Sequence, residues 1–285
     1  MATHEEGGFK GEGGLEIYWQ AWLPDGDPAP QPRATVVLAH GASEHGGRYA
    51  WTGEQLSARG YALYAIDHRG HGRSEGPRAV IDRMQNAVED LHTLVEKAHG
   101  RQPDRPLVLL GHSMGGCVAI AYTIEHEDAL DGLVLSGPLA ALEAASPVQR
   151  AAGRVLSIVA PTLGVVGIDS SAVSRDPEVV KDYDDDPLNY HGKLPARTVA
   201  ELSKAIDGFP EAVTKFKLPM LVMHGTADRL VPIAGGQMVA DRAGSEDKTW
   251  KPYDGLFHEI LNEQERQQVL DDIADWLDER FPAVR

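Results

Sequence analysis

The sequence predicts an α/β protein, a mostly parallel sheet with helices on both faces. Three observations carry that prediction. Short apolar runs alternate with segments of helical periodicity along the chain. Most of those runs are continuously apolar, as strands buried on both faces must be. One serine is also framed by a strand, a sharp turn and a helix: Leu107-Val108-Leu109-Leu110 leads into Gly111-His112-Ser113-Met114-Gly115, and Gly116 to Ala121 continues as helix.

In chain order the runs predict strands at Leu15–Leu23, Thr35–Ala39, Tyr61–Ile66, Leu107–Leu110, Gly132–Leu135, Met220–Met223 and Thr249–Tyr253. Helices are predicted over Tyr49–Arg59, Asp82–His99, Met114–Glu127, Pro232–Arg242 and Glu263–Arg280. In the last, Leu270, Ile273, Leu277 and Phe281 recur at helical spacing with charges on the opposite face, so it should close the domain. The alternation stops between Pro138 and Pro219, where no clear strand is apparent. Residues 139–218 are therefore read as an insertion into a core made of 1–138 and 219–285. Its first half, Ser146 to Ile168, carries few charges and clusters Val155, Leu156, Ile158, Val159, Leu163, Val165 and Val166. Pro161, Gly164 and Gly167 interrupt that stretch, which is too short to span a bilayer. Either it packs on the core sheet or it forms an apolar rim. The second half is acidic around Tyr183.

The turn at Ser113 is a nucleophile elbow, in which the absence of side chains at the glycines lets strand and helix approach closely and leaves the hydroxyl exposed. Serine is a weak nucleophile, so the reading requires a base and an orienting acid, in the chain order serine, acid, histidine. The turn after Met220-Leu221-Val222-Met223-His224-Gly225 presents Asp228, and of the 12 histidines only His258 lies beyond it. Asp228 and His258 are the predicted partners. Acyl transfer also needs preorganised donors for the oxyanion, each worth about 3 kcal/mol. Those expected are the backbone N–H groups of Met114, after the nucleophile, and of Ala42, in the loop that follows Thr35–Ala39. Asp67-His68-Arg69-Gly70-His71-Gly72-Arg73-Ser74 lacks both a phosphate-loop pattern and a metal-ligand cluster and is read as a structural turn bracing the elbow.

Composition narrows the class further. The 27 basic and 43 acidic residues give a formal charge of −16, which repels nucleic acid and anionic surfaces. The amino terminus has neither the basic start nor the apolar stretch of a secretory signal, so a cytoplasmic address is expected. The single cysteine, Cys117, excludes a disulfide framework and should pack behind the nucleophile.

Four segments, His40 to Tyr49, Asp67 to Ser74, Gly111 to Gly116 and His224 to Leu230, resemble those of α/β-hydrolase-fold monoacylglycerol lipases. The similarity continues through Asp182–Leu188 and Tyr253–Glu259. The resemblance implies a catalytic triad of Ser113, Asp228 and His258, with oxyanion amides at Ala42 and Met114. It also implies glycerol-end contacts at Glu44, Arg48, His112 and Tyr183, and a helical cap whose apolar rim touches membranes transiently. Read from the residues alone, Glu44 and Arg48 could equally form a local ion pair, and Tyr183 could simply pack within the cap. The implied reaction cleaves monoacylglycerol to fatty acid and glycerol and requires no metal or organic cofactor. A broader carboxylesterase or lysophospholipase, and a non-catalytic binding protein on the same fold, are the alternatives. A dehalogenase or epoxide hydrolase would need a carboxylate in place of Ser113.

Overall fold

A computed structural model describes residues 2–26, 31–142 and 147–282. In chain order its strands are β1 (Ala2–Lys10), β2 (Glu16–Pro24), β3 (Thr35–Ala39), β4 (Ala62–Ile66), β5 (Leu107–His112), β6 (Gly132–Ser136), β7 (Gly164–Val166), β8 (Leu194–Pro195), β9 (Met220–Gly225) and β10 (Lys248–Tyr253). The helices are α1 (Ala50–Ala58), α2 (Met84–Arg101), α3 (Met114–His126), α4 (Pro147–Val159), α5 (Pro177–Asp185), α6 (Ala196–Ile206), α7 (Phe209–Ala212), α8 (Ile233–Arg242) and α9 (Arg266–Arg280).

All the strands but β7 and β8 form one sheet in the order β1-β2-β4-β3-β5-β6-β9-β10. The β1–β2 and β2–β4 pairings are antiparallel, and the remaining ones are parallel. Because successive strand residues point to opposite faces, each central strand feeds two cores. Val37, Leu109, Leu133 and Val222 face Leu91 of α2, Val118 of α3 and Val239 of α8. Their neighbours Val36, Val108, Val134 and Leu221 face Leu56 of α1 and Leu270, Ile273 and Leu277 of α9. This is the mostly parallel, helix-covered sheet of the α/β-hydrolase fold. The last helix closes the second face, as its periodicity predicts.

The structure departs from the sequence reading in three places. β1 was not predicted: Ala2–Lys10 has no apolar run, and nine register pairs with β2 make it a strand at the sheet edge. The 139–218 insertion does contain strand. β7 and β8 pair antiparallel through Gly164 with Pro195 and Val166 with Leu194, and are too short for any periodicity to register. The turn at Asp67 braces the loop after β3 more directly than the elbow. Asp67 Oδ1 accepts from Gly46 N at 2.8 Å, Oδ2 accepts from Arg73 N at 2.8 Å, and His68 N donates to His40 Nε2 at 3.0 Å.

Within the insertion, α4 packs on α6, and Val155, Ile158 and Val159 of α4 are 59%, 74% and 71% exposed. Leu163, Val165 and Val166 extend that exposed apolar strip, while Leu156 is half-buried. The first residue of the predicted rim, Ser146, lies outside the described residues. The next stretch is tied to the core. Tyr190 N donates to Ser43 O at 2.9 Å, Arg78 Nη2 donates to Leu188 O at 2.8 Å, and His45 Nε2 lies 2.9 Å from Asp186 Oδ2.

Ile273, fully buried between α9 and the sheet, tests this account of closure. Ile273→Ala is expected to lower unfolding free energy by about 2–5 kcal/mol, since it removes buried methylenes and leaves a cavity. Urea denaturation monitored by Trp fluorescence measures the loss, and the solvent-facing substitution Gln267→Ala should change it by less than about 0.5 kcal/mol.

Candidate active site

Ser113 sits between β5 and α3 with φ +54° and ψ −118°, a backbone region that non-glycine residues avoid. The surrounding chain holds it there. Ser113 N donates to Ser136 O at 3.1 Å, and Ser113 O accepts from Leu139 N at 3.0 Å and Cys117 N at 3.2 Å. The crossing of strand and helix is close enough that a Cβ on Gly115 would lie 2.0 Å from Ala39 O, and one on Gly111 would lie 2.7 Å from Ala119 Cβ. Cys117 is buried behind the serine, and burial pushes its thiol pKa far up, which makes it an inert packing group.

Asp228 and His258 enter from the carboxyl ends of β9 and β10. Thr226 N donates to Tyr253 O at 2.9 Å and Ala227 N to Leu256 O at 3.0 Å, so the two loops are docked on each other. His258 Nδ1 lies 2.7 Å from Asp228 Oδ2. The same oxygen lies 3.0 Å from His224 Nε2, and Asp228 Oδ1 accepts from Leu230 N at 2.8 Å and Val231 N at 3.0 Å. Burial would raise the Asp228 pKa, but the bonds from His224 and His258 outweigh it and hold the carboxyl well below the usual range. For His258, burial favours the neutral ring. The bond and charge of Asp228, with the charges of Glu259 and Glu44 behind it, outweigh burial and raise its pKa above the ordinary histidine value.

Ser113 and His258 line one cavity of about 170 Å³, and Ala42 and Met114 line it beside them. Its base is polar, with Glu44, His112 and Glu259. Its walls are apolar, with Leu139, Val173, Leu194, Leu202, Leu230 and Val231. The loop carrying Ala42 is built from within: Glu44 Oε1 accepts from Gly41 N at 2.5 Å and from the Tyr49 hydroxyl at 2.8 Å.

The other polar residues singled out in the sequence come together here. Arg48 Nη1 donates to Glu44 Oε2 at 2.8 Å and to Glu259 Oε1 at 2.6 Å, and its Nη2 donates to Glu259 Oε2 at 2.8 Å. The guanidinium also lies 4.9 Å from the ring centroid of Tyr183, across from α5. Arg48 is thus engaged on three sides, by a core loop, the segment after His258 and the insertion. Glu44, His112 and Tyr183 line the cavity. Burial raises the Glu44 pKa, whereas the bidentate Arg48 contact overrides burial at Glu259 and lowers its pKa to about 2. His112 Nδ1 lies 3.0 Å from Ser136 O, and burial with the neighbouring His258 lowers its pKa to about 3, so the ring is neutral. Sequence reasoning missed Glu259 and gave His224 no role. Adjacency to His258 and the i, i+4 spacing to Asp228 are faint signals, and neither separates these residues from ordinary loop and strand polar groups.

Against known proteins, residues 30–265 match the family model described as serine aminopeptidase, S33. The monoacylglycerol lipase of Mycolicibacterium smegmatis is 44% identical over 277 residues, covering 97% of this chain and 98% of that protein. The chain belongs to the monoacylglycerol lipase family. Within that family, the human monoglyceride lipase is 35% identical over 94% of this chain and 88% of its own length. The crystal structure of the Paleococcus ferrophilus monoacylglycerol lipase superposes with a TM-score of 0.80 at 26% identity, covering 98% of this chain and 99% of that one. A soluble variant of the Saccharomyces cerevisiae monoglyceride lipase, at 23% identity and a TM-score of 0.85, shares the fold.

The electrostatics of His258 set the pH response expected of this site. Its pKa is raised, so the ring holds a proton at pH values where a free histidine has already lost it, and a protonated ring accepts none from Ser113. Hydrolysis should therefore be lost as pH falls through a value above the ordinary 6.5. Glu259→Gln removes one of the anions that raise it, so the acidic limb of the kcat/KM profile should move to lower pH. A pH-rate profile on a soluble ester measures both.

Proposed function

We propose that this protein hydrolyses monoacylglycerols to free fatty acid and glycerol through a covalent acyl-enzyme. The Asp228–His258 pair beside an elbow serine, in a cavity with apolar walls and a polar base, carries the reading. His258 takes the hydroxyl proton as Ser113 Oγ attacks the ester carbonyl. The N–H groups of Ala42 and Met114 receive the developing oxyanion. Collapse of the intermediate breaks the bond to the glycerol oxygen, to which His258 returns the proton. Water, deprotonated by the same ring, then attacks the acyl-enzyme, and Ser113 leaves with the proton. Asp228 holds the imidazole tautomer and stabilises the imidazolium. Glu44, His112 and Tyr183 meet the glycerol end, whereas Arg48, expected there from the sequence, is not among the cavity-lining residues and acts by holding Glu44 and Glu259. A polar base of this kind favours a head group with free hydroxyls, because a substrate without them leaves buried polar groups unpaired. The curated relatives named monoacylglycerol and monoglyceride lipases support the same substrate.

A hydrolysis panel tests the assignment. Matched mono-, di- and triacylglycerols and a lysophospholipid are expected to be cleaved in favour of the monoacyl ester. Ser113→Ala should lose more than about a thousandfold in turnover with its thermal melt unchanged. Equal rates on mono- and triacyl esters would leave a general esterase, and substantial turnover by the folded alanine variant would remove the serine mechanism.

Residues 139–218 act in this reading as the cap, and the exposed strip of α4 and β7 as a rim that loads lipid from an interface. Six exposed aliphatic side chains between Val155 and Val166, on a chain otherwise rich in charge, support it. Among the described residues no helix is long and apolar enough to cross a membrane, so contact would be peripheral. With a formal charge of −16 it would also be hydrophobic and largely independent of salt. Ile158→Asp with Val159→Asp should weaken vesicle co-sedimentation and long-chain hydrolysis while leaving a short soluble ester unaffected. Loss of both activities together with a lower melting temperature would assign the strip to packing.

A further inference from the structure

The Asp228 carboxylate has four donors arranged around it, and one of them belongs to a second histidine. Leu230 N and Val231 N occupy Oδ1, while His258 Nδ1 and His224 Nε2 share Oδ2. His224 is fully buried at the end of β9, and its Nε2 also lies 3.3 Å from Val231 O. Both neighbours of Nε2 are acceptors. Its other nitrogen, Nδ1, is buried with no hydrogen-bond partner among the described residues. The tautomer that matches these surroundings carries the hydrogen on Nε2 and donates it. The space is made for it: a Cβ on Gly236 of α8 would lie 2.9 Å from Nδ1. Trp250 lies nearby, its ring centroid 6.5 Å from that of the imidazole, and the same Cβ on Gly236 would lie 3.2 Å from its ring.

We propose that His224 is a positioning residue, a fixed donor that locks the Asp228 rotamer and shares the charge of Oδ2, so that the basicity of His258 is held down and its ring kept in register with Ser113. A carboxylate whose acceptor sites are all occupied has no alternative orientation of comparable energy. With the His224 donor gone, Oδ2 answers to His258 alone. Two effects follow. The carboxylate gains freedom to rotate away from its productive pose, which lowers kcat. Its undivided charge then stabilises the imidazolium more strongly, which shifts the acidic limb of the pH profile upward. The other groups facing His258 are Glu259, Glu44, Arg48 and His112, and none of them bonds to Asp228, so the shift would belong to His224. KM should hardly move, because His224 does not line the cavity.

The proposal rests on the triad reading, which Ser113→Ala tests by itself; the His224 variants are compared with Ser113 intact. Active sites are counted by exhaustive fluorophosphonate labelling, and kcat per labelled site is followed against pH on a soluble ester. His224→Leu is expected to lose about tenfold in kcat, the scale of one hydrogen bond to a charged group, with KM within about twofold and the acidic limb moved to higher pH. His224→Gln, whose amide nitrogen reaches about as far as Nε2, should restore kcat and the limb. Should the leucine variant fail to fold, His224→Asn replaces it: its shorter amide falls short of Oδ2 and should show the shifted limb that the glutamine variant lacks. A folded leucine variant with wild-type kcat and limb overturns the proposal. So does a glutamine variant whose limb coincides with that of the leucine or asparagine protein.

Discussion

Everything the site does depends on holding Ser113 in a backbone conformation that costs about 1–3 kcal/mol when left to itself. The sheet supplies that constraint. β5 is paired on both sides, to β3 and β6, so its carboxyl end cannot retreat from the turn, and α3 begins at the next residue with Gly115 against the backbone of Ala39 and His40 and Gly116 against Pro138. The strain is thereby spread over the core of the protein. The same crossing places the end of β3 beside the elbow, which brings Ala42 within the cavity that Ser113 opens into.

Around the serine, the electrostatic field is set by carboxylates that burial alone would neutralise. Asp228 and Glu259 stay charged because each is provided with donors, two amides and two imidazoles for the first and a bidentate guanidinium for the second. Breaking such a buried pair leaves an uncompensated charge, so Arg48 joins structure and chemistry in one residue. Its position also ties the pH response of His258 to the insertion, since the face of the guanidinium meets Tyr183 of α5.

The two halves of the insertion differ in how they are attached. From Ser170 onward the segment is anchored: Glu259 N donates to Val173 O at 2.8 Å, and Glu263 accepts from Arg175. The α4 half packs chiefly on α6 and presents its aliphatic side chains outward. A fixed half that meets the polar base and an apolar half that faces outward suit a substrate with a small polar end and a long hydrocarbon end.

Much of this was legible in the sequence, because it depends on local pattern. The central strands and flanking helices follow from uninterrupted apolar runs and 3.6-residue periodicity, and the elbow from glycine spacing between a strand and a helix. The turn after an apolar strand presents Asp228, and chain order then singles out His258, since one histidine follows that aspartate. The edge strand β1, the pair β7–β8, the Arg48 bridge from Glu44 to Glu259 and the second histidine on Asp228 could not be read that way. β1 pairs with the next strand in the chain but has no apolar run to mark it, while the others depend on partners far apart in the chain, as Arg48 and Glu259 are by 211 positions, or on a burial that makes a polar contact decisive. Local sequence determines which segment becomes strand, turn or helix because backbone sterics and side-chain periodicity act over a few residues. Tertiary structure decides which charges lose their water and meet, and at Asp228, Glu259 and His258 the partners met there outweigh the loss of solvent and settle the strength of the carboxylate or the basicity of the imidazole.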